Sequence, residues 1–286
     1  MLWQGRQGSS NVEDRRGMSG GGLVAGGGII GVIVLLINLF MGDGDVSQIP
    51  QVIQNGGAQQ EQQMSPEAKA EDEARTKFVS VVLRETEVVW HKIFSQNGSQ
   101  YTEPALVIFR DQVQSACGGA TAASGPFYCP ADHKVYVDLA FQEELTERFQ
   151  AAGDFPMAYV IAHEVGHHVQ SLMGTSEKMA RLRQQLDERE YNKYSVMLEL
   201  QADFYAGVWA HYAQTDAKIL EEGDIEEALR AANAIGDDRL QKQSRGTVMP
   251  DAFTHGTSAQ RMYWFKKGYE TGDISQGDTF KDPSLQ

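Results

Sequence analysis

The chain has 286 residues and a formal net charge of −14, with 25 Lys and Arg against 39 Asp and Glu. This length suits one domain of ordinary size plus extra segments, and it allows a sizeable buried core. No basic stripe is present. The acidic balance therefore argues against nucleic acid as a partner, because phosphate binding needs clustered Lys and Arg.

The N-terminal region contains an apolar run between two polar segments. Residues 1–20 are rich in Gly, Ser and charged residues, which predicts a short disordered tail. Residues 21–41 are apolar, and at ~1.5 Å per residue a helix of this length spans a bilayer. Arg6, Arg15 and Arg16 precede the run, whereas Asp43 and Asp45 follow it. By the positive-inside rule, this predicts a single transmembrane helix with a cytoplasmic N-terminus.

The rest of the chain is therefore predicted to lie outside the cytoplasm. A cleaved signal peptide is the competing interpretation, but the run is long and no small-x-small site follows Met41. Gly27-x-x-x-Gly31 is a weak signal for a homo-oligomer through the transmembrane helix. Residues 42–64, rich in Gln and Gly, predict a flexible tether.

The remaining chain predicts an α+β domain over residues 65–275, followed by a loose tail over residues 276–286. A helix begins at Ser65-Pro66 and ends at Asn97-Gly98. Three strands and a helix follow, at residues 105–109, 127–129, 134–139 and 140–149. The second and third strands form a hairpin. From Ser176 to Gly272 the pattern is almost all helical.

Two cysteines, Cys117 and Cys129, lie in the region of the predicted strands. Outside the cytoplasm they can be oxidised to a disulfide that closes a short loop. Two unrelated buried thiols are the alternative. Their spacing is not the C-x-x-C type, which argues against paired zinc ligands.

The strongest motif is H-E-x-x-H at residues 163–167, on a predicted helix that begins after Asp154. Residues four apart lie on one helix face, so His163 and His167 can aim both imidazoles at one metal ion. Glu164 lies close enough to take a proton from a metal-bound water. The motif alone is moderately specific, and two satisfied histidines on a buried helix would be the alternative.

A third ligand is needed, because catalytic zinc usually has three protein ligands and a water. A ligand histidine six residues beyond the motif is absent, since that position is Met173. A Glu four residues before an Asp on a later helix is present as Glu199 and Asp203. This spacing predicts that Glu199 ligates the ion and that Asp203 accepts the outer N–H of a ligand histidine. Solvated acids on a partly exposed helix are the alternative.

Other histidines carry weaker signals. His168 points about 100° away from His167 and is predicted to be a structural hydrogen bonder. His255 lies where a loop enters a helix, so it is a candidate donor to an oxyanion. An ordinary loop histidine is the alternative for His255.

The chain resembles the bacterial putative neutral zinc metallopeptidase family, whose members are membrane-anchored zincins. The resemblance covers about residues 70 to 273 and is carried by the segments at 117–118, 125–130, 135–139, 158–170, 199–203 and 256–261. It implies a zincin-like domain with one Zn²⁺ on His163, His167 and Glu199, and Glu164 as general base. It also implies, through a looser match, that His255 and Arg261 support the transition state.

Together with the resemblance, these observations predict a zinc metallopeptidase of the bacterial inner membrane, with its catalytic domain in the periplasm or outside the cell. It acts on a peptide or protein substrate and contacts the lipid bilayer through residues 21–41. The strand through Tyr136 is the predicted edge for an extended peptide. A non-catalytic periplasmic zinc-binding scaffold with the same fold is the alternative, although a scaffold has no need of Glu164.

Overall fold

A computed structural model describes residues 1–17 and 65–285. One compact unit comprises Met1–Gly17 and Arg75–Gln286, and a second comprises Met18–Ala74. Of the second unit, only residues 65–74 are described. The predicted transmembrane helix at 21–41 and the tether at 42–64 lie outside the described residues. In the parts of the chain that are described, no helix combines the length and apolar character needed to cross a bilayer.

The described α-helices follow the predicted order. They are α1 Pro66–Gln96, α2 Phe141–Glu147, α3 Phe155–Leu172, α4 Thr175–Gln185, α5 Glu188–Thr215, α6 Asp224–Ala234, α7 Asp237–Arg245 and α8 Ser258–Thr271. The predicted bounds of α1 are confirmed. Ser65 Oγ accepts the Ala68 N–H at 3.2 Å at the start of α1. Gly174, just after α3, has φ 80°.

A four-stranded sheet has the order β1-β2-β6-β5. The strands are β1 Val12–Asp14, β2 Ala105–Phe109, β5 Phe127–Cys129 and β6 Lys134–Asp138, and a separate hairpin pairs β3 Gln112–Ser115 with β4 Gly118–Thr121. β1, β2 and β6 are parallel, whereas β5 is antiparallel to β6, as the predicted hairpin requires.

This order corrects one prediction. β6, the strand through Tyr136, lies between β2 and β5, so it offers no open edge. Among the described strands of this sheet, β5 is the edge on that side. Tyr136 is 1% exposed and stacks on Phe127 at 4.8 Å between ring centroids.

The core forms where α3 packs against α5, α6 and the strands β5 and β6. α3 is buried along almost its whole length, which is why its sequence is apolar on every face except around the histidines. α8 packs along α5 on another side. The result is an α+β domain in which the H-E-x-x-H helix is the central element.

Both ends of the described chain differ from prediction. The disordered tail predicted for residues 1–20 is wrong for residues 1–17, because β1 pairs with β2 and joins the main unit. The loose tail predicted from residue 276 is also wrong. Thr279 is fully buried, and its Oγ1 donates to the Met197 carbonyl at 2.6 Å. These segments pack through tertiary contacts that local composition does not reveal.

Candidate metal centre

Two helices bring three metal-binding side chains together. His163 and His167 lie on α3 and Glu199 lies on α5, and one ligand atom from each lies within 4.8 Å of the others. Nε2 of His163 is 3.1 Å from Glu199 Oε2, and Nε2 of His167 is 3.5 Å from Glu199 Oε1. The two imidazole rings stand at 89° with centroids 4.8 Å apart. The predicted ligand set is therefore assembled at one point.

The close approach of α3 and α5 depends on a residue between the two histidines. A Cβ built on Gly166 would lie 3.0 Å from the carbonyl oxygen of Ala202 and 3.2 Å from its Cα. Contacts this short mean that the helix backbones nearly touch at this point. Glu199, one turn before Ala202, is thereby held against the histidine face.

The outer nitrogens of both histidines have acceptors. Nδ1 of His163 is 2.8 Å from Asp203 Oδ1, as predicted for this carboxylate. Nδ1 of His167 is 2.8 Å from Oε1 of Gln170. An acceptor at Nδ1 holds a proton there, which would leave the Nε2 lone pair free to bind a metal ion. Gln170 was not recognised from the sequence, although it lies only three residues after His167 on the same helix.

Asp203 is the centre of a buried polar network. It accepts hydrogen bonds from Tyr159 Oη at 2.5 Å and from Nε and Nη2 of Arg261 at 2.8 and 3.0 Å. Asp203 is fully buried and Arg261 is 3% exposed. Burial alone would raise the pKa of Asp203, but Arg261 and His163 together lower it to about 2. The carboxylate is therefore ionised and fully hydrogen-bonded.

This network also shows how Arg261 is held near the candidate ligands. Asp203 bonds the Nδ1 side of His163, while Glu199 lies on the opposite, Nε2 side. Arg261 therefore contacts the carboxylate that holds the Nδ1 side of a candidate ligand. Its implied support of the transition state stays a prediction.

Glu164 lies beside the ligands without joining their hydrogen bonds. Its side chain is buried, with 8% of the residue exposed. Burial raises the pKa of Glu164 above its usual range, although His167, His163 and a backbone hydrogen bond from Tyr128 act in the opposite direction. A carboxylate with a raised pKa is a better proton acceptor, which suits the predicted general base.

His255 is positioned by a residue that sequence analysis did not identify. Oδ2 of Asp237 accepts the backbone N–H groups of Thr254, His255 and Gly256 at 2.7, 2.6 and 3.0 Å. Burial tends to lower the pKa of His255, but the charge of Glu199 and a hydrogen bond to Asp237 raise it. His255 therefore lies within electrostatic reach of the ligand Glu199. Asp237 is far from His255 in sequence, so no motif linked them.

His168 is the structural hydrogen bonder that the sequence predicted. Its Nε2 donates to the Thr102 carbonyl at 2.6 Å, and its Nδ1 lies 3.1 Å from Tyr128 Oη. The residue is fully buried. Burial is the main cause that lowers the pKa of His168 to about 4. His168 is thus a neutral link between α3 and the edge strand β5.

The cysteines form the disulfide that the sequence considered. Cys117 and Cys129 are bonded, with Cα atoms 5.8 Å apart, and no free cysteine is present in the described chain. The bond ties the turn of the β3–β4 hairpin to the end of β5. Two unrelated buried thiols are therefore excluded.

The donor set fits zinc. Two imidazole nitrogens and one carboxylate converge, and each imidazole has its outer proton held by an acceptor, as zinc-binding histidines usually do. Three protein ligands leave one coordination position for water, which is the arrangement of catalytic sites and not of closed structural ones. The fold and the site thus define an α+β protein with a candidate catalytic zinc centre.

Comparison with known proteins agrees with this class. The chain belongs to the family described as putative neutral zinc metallopeptidase, whose sequence model it matches over residues 1–280. It is 47% identical over 289 residues to uncharacterized protein YpfJ of Escherichia coli K12, covering 98% of this chain and 99% of that protein. It is 44% identical over 195 residues to uncharacterized protein Mb2605 of Mycobacterium bovis, covering 65% of each. No solved structure matches the chain.

Proposed function

We propose that the chain is a zinc-dependent metallopeptidase that hydrolyses peptide bonds in a peptide or protein substrate. The observation that carries the proposal is the convergence of His163, His167 and Glu199 with a separate buried carboxylate, Glu164, beside them. A site that only stores or displays a metal needs the first three groups. It does not need a fourth carboxylate kept out of their hydrogen bonds.

In this proposal His163, His167 and Glu199 hold one Zn²⁺. When bound, zinc supplies a water of lowered pKa and polarises the carbonyl of the scissile bond. Glu164 accepts a proton from the attacking water and later delivers it to the leaving amine. Its raised pKa favours the first transfer, because burial makes this carboxylate a stronger proton acceptor than an exposed Glu.

His255 provides a candidate donor to the oxyanion that forms during hydrolysis. Its side chain is 49% exposed, and Asp237 anchors its loop. Glu199 and Asp237 favour its cationic form. An extended substrate would add to the free side of β5, whose residue Tyr128 also contacts Glu164 through its backbone.

Attachment to a bilayer through the apolar residues 21–41, and a zincin-type fold, are part of the same proposal. The disulfide Cys117–Cys129 supports a position outside the reducing cytoplasm.

The test replaces Glu164 by Gln, which keeps the size and the hydrogen-bonding groups but not the base. We expect the Glu164→Gln protein to retain about one zinc per chain while cleavage of casein or a peptide library is lost. Glu270→Gln on α8, whose side chain is 60% exposed, is the matched control and should cleave normally.

The outcomes separate the alternatives. Full activity in Glu164→Gln would eliminate the mechanism. If the unmodified protein binds zinc but cleaves no substrate, and adding a chelator changes nothing, the zinc-binding scaffold is favoured instead.

A further inference from the structure

The backbone of residues 1–17 is bonded to the main unit at several separate points. In the parallel pairing of β1 with β2, the Leu106 N–H donates to the Asn11 carbonyl at 2.8 Å, and the Arg15 N–H donates to the Ile108 carbonyl at 2.8 Å. Earlier in the segment, the N–H of Ser9 donates to the carbonyl of Ser80 on α1 at 2.8 Å. The segment therefore contributes a strand to the sheet and contacts a core helix.

Side chains of the segment also satisfy a buried charge. Glu87 on α1 is 1% exposed, and its Oε1 accepts from Ser9 Oγ at 2.5 Å and from Asn11 Nδ2 at 2.9 Å. Arg84 bonds the other oxygen at 3.0 Å. A buried carboxylate is costly unless it is hydrogen-bonded, so α1 depends on the N-terminal segment at this position.

The surroundings of Gly8 show how closely the segment approaches α1. A Cβ added at Gly8 would lie 2.2 Å from Ser80 Oγ and 3.1 Å from Ser80 Cβ. Gly17, at the other end of the segment, has no atom within 4 Å of its hypothetical Cβ among the described residues. Gly8 is therefore packed against α1, whereas a glycine in a free tail would have open space around it as Gly17 does.

The arginines that predicted a cytoplasmic N-terminus have partners in the fold. Arg6 forms an ion pair with Glu85 at 3.1 Å, and its Nη2 donates to the Ala217 carbonyl at 2.8 Å. Arg15 and Arg16 pair with Glu13 and Asp14 at 2.5 Å. These charges therefore have a structural reason to precede the apolar run, and their value as an orientation signal is reduced.

We propose that residues 1–17 and the metal-binding domain lie on the same side of the membrane, as one folded unit. Paired strands are about 4.8 Å apart, whereas the apolar core of a bilayer is about 30 Å thick. β1 and β2 cannot pair across that distance. The single-pass arrangement with a cytoplasmic N-terminus is therefore replaced by one in which residues 1–17 and the metal-binding domain share a compartment.

The first test maps both flanks in the full-length chain. Gln7→Cys and Lys281→Cys each place one thiol at an exposed position, Lys281 having an 85% exposed side chain. The native cysteines are disulfide-bonded, so the unmodified chain is the background control. Spheroplasts are treated with a membrane-impermeant maleimide, before and after lysis.

The proposal predicts that both thiols react in intact spheroplasts, or that both react only after lysis. Reaction of one thiol in intact spheroplasts while the other needs lysis would overturn it.

The second test asks whether the segment is docked in the full-length protein. We expect Gly8→Val to lower the Tm of the purified chain by about 3 °C or more, because its Cβ alone would lie 2.2 Å from Ser80 Oγ and 3.1 Å from Ser80 Cβ. Gly17→Val, the same substitution in open space, should leave the Tm unchanged. Equal Tm values for the two variants would show that residues 1–17 are not packed on the domain, and the proposal would fail.

Discussion

Gly166 of α3 lies against the backbone of Ala202 of α5, so closely that a methyl group at position 166 would come 3.0 Å from the Ala202 carbonyl oxygen. This contact sets the distance between the helix that carries the two histidines and the helix that carries Glu199. The geometry of the metal centre thus depends on a residue that has no side chain.

We therefore predict that Gly166→Ala weakens zinc binding and destabilises the fold. In an isolated helix this change would stabilise by ~1 kcal/mol, so a net loss of stability would report the helix contact. Forcing a methyl group into this space should cost about 1–3 kcal/mol. Chelator competition and thermal unfolding measure the two effects. Gly119→Ala on β4, where the nearest atom is a flexible Gln114 oxygen at 3.4 Å, is the control. Unchanged zinc affinity would contradict this role of Gly166.

Asp203→Asn should weaken zinc binding about 10–100-fold, because the amide is a poorer acceptor for the Nδ1–H of His163. The same change leaves Arg261 buried beside a neutral group, which should destabilise the fold by about 3–5 kcal/mol. Zinc affinity is measured at a temperature where the variant stays folded. Asp278→Asn, whose side chain is 43% exposed, serves as control. Wild-type zinc affinity in the folded variant would show that Asp203 does not support the ligand.

Gln170→Leu tests the outer partner of His167. Leu removes the acceptor for Nδ1 and also the donor to the Leu198 carbonyl, which Gln170 Nε2 contacts at 2.7 Å. We expect zinc binding to weaken by about 10-fold or more. Gln184→Leu, at an exposed position on α4, makes the same chemical change away from the site. If both variants bind zinc equally well, Gln170 does not orient His167.

The buried His168 predicts a pH dependence of stability. Burial lowers its pKa to about 4 in the folded protein, from 6.5 for a fully exposed imidazole. Above pH 6.5 both states are neutral, whereas between pH 6.5 and 4 only the unfolded state binds the proton. Stability therefore falls as the pH drops through this window, by at most about 3 kcal/mol.

The measurement compares the free energy of unfolding of the wild type and His168→Gln at several pH values, with excess chelator. Gln retains a donor and an acceptor but does not titrate. The wild type should lose stability relative to the variant as the pH falls from 6.5 to 4. A constant difference between the two proteins over this range would show that His168 is not held neutral.

Much of the site follows from local sequence patterns. Helical spacing placed His163 with His167 and Glu199 with Asp203, because residues four apart share a helix face whatever the fold. Gln170 lies on that face as well, but its residue type does not signal a ligand partner.

Contacts between distant segments were not predictable in this way. Asp237 reaches His255 across a loop, and Arg261 reaches Asp203 from another helix. The short, charged strand β1 has no apolar alternation to reveal it, since its sequence is Val-Glu-Asp. Its pairing with β2 depends on tertiary structure alone.

The Cys117–Cys129 bond fastens the end of β5, and β5 in turn touches the metal helix twice: Tyr128 Oη meets His168, and the Tyr128 backbone meets Glu164. A reducing agent that never reaches the histidines would still loosen the strand that borders the proton acceptor. The redox state of this disulfide is therefore linked to the reactivity of Glu164, a buried carboxylate on a different element.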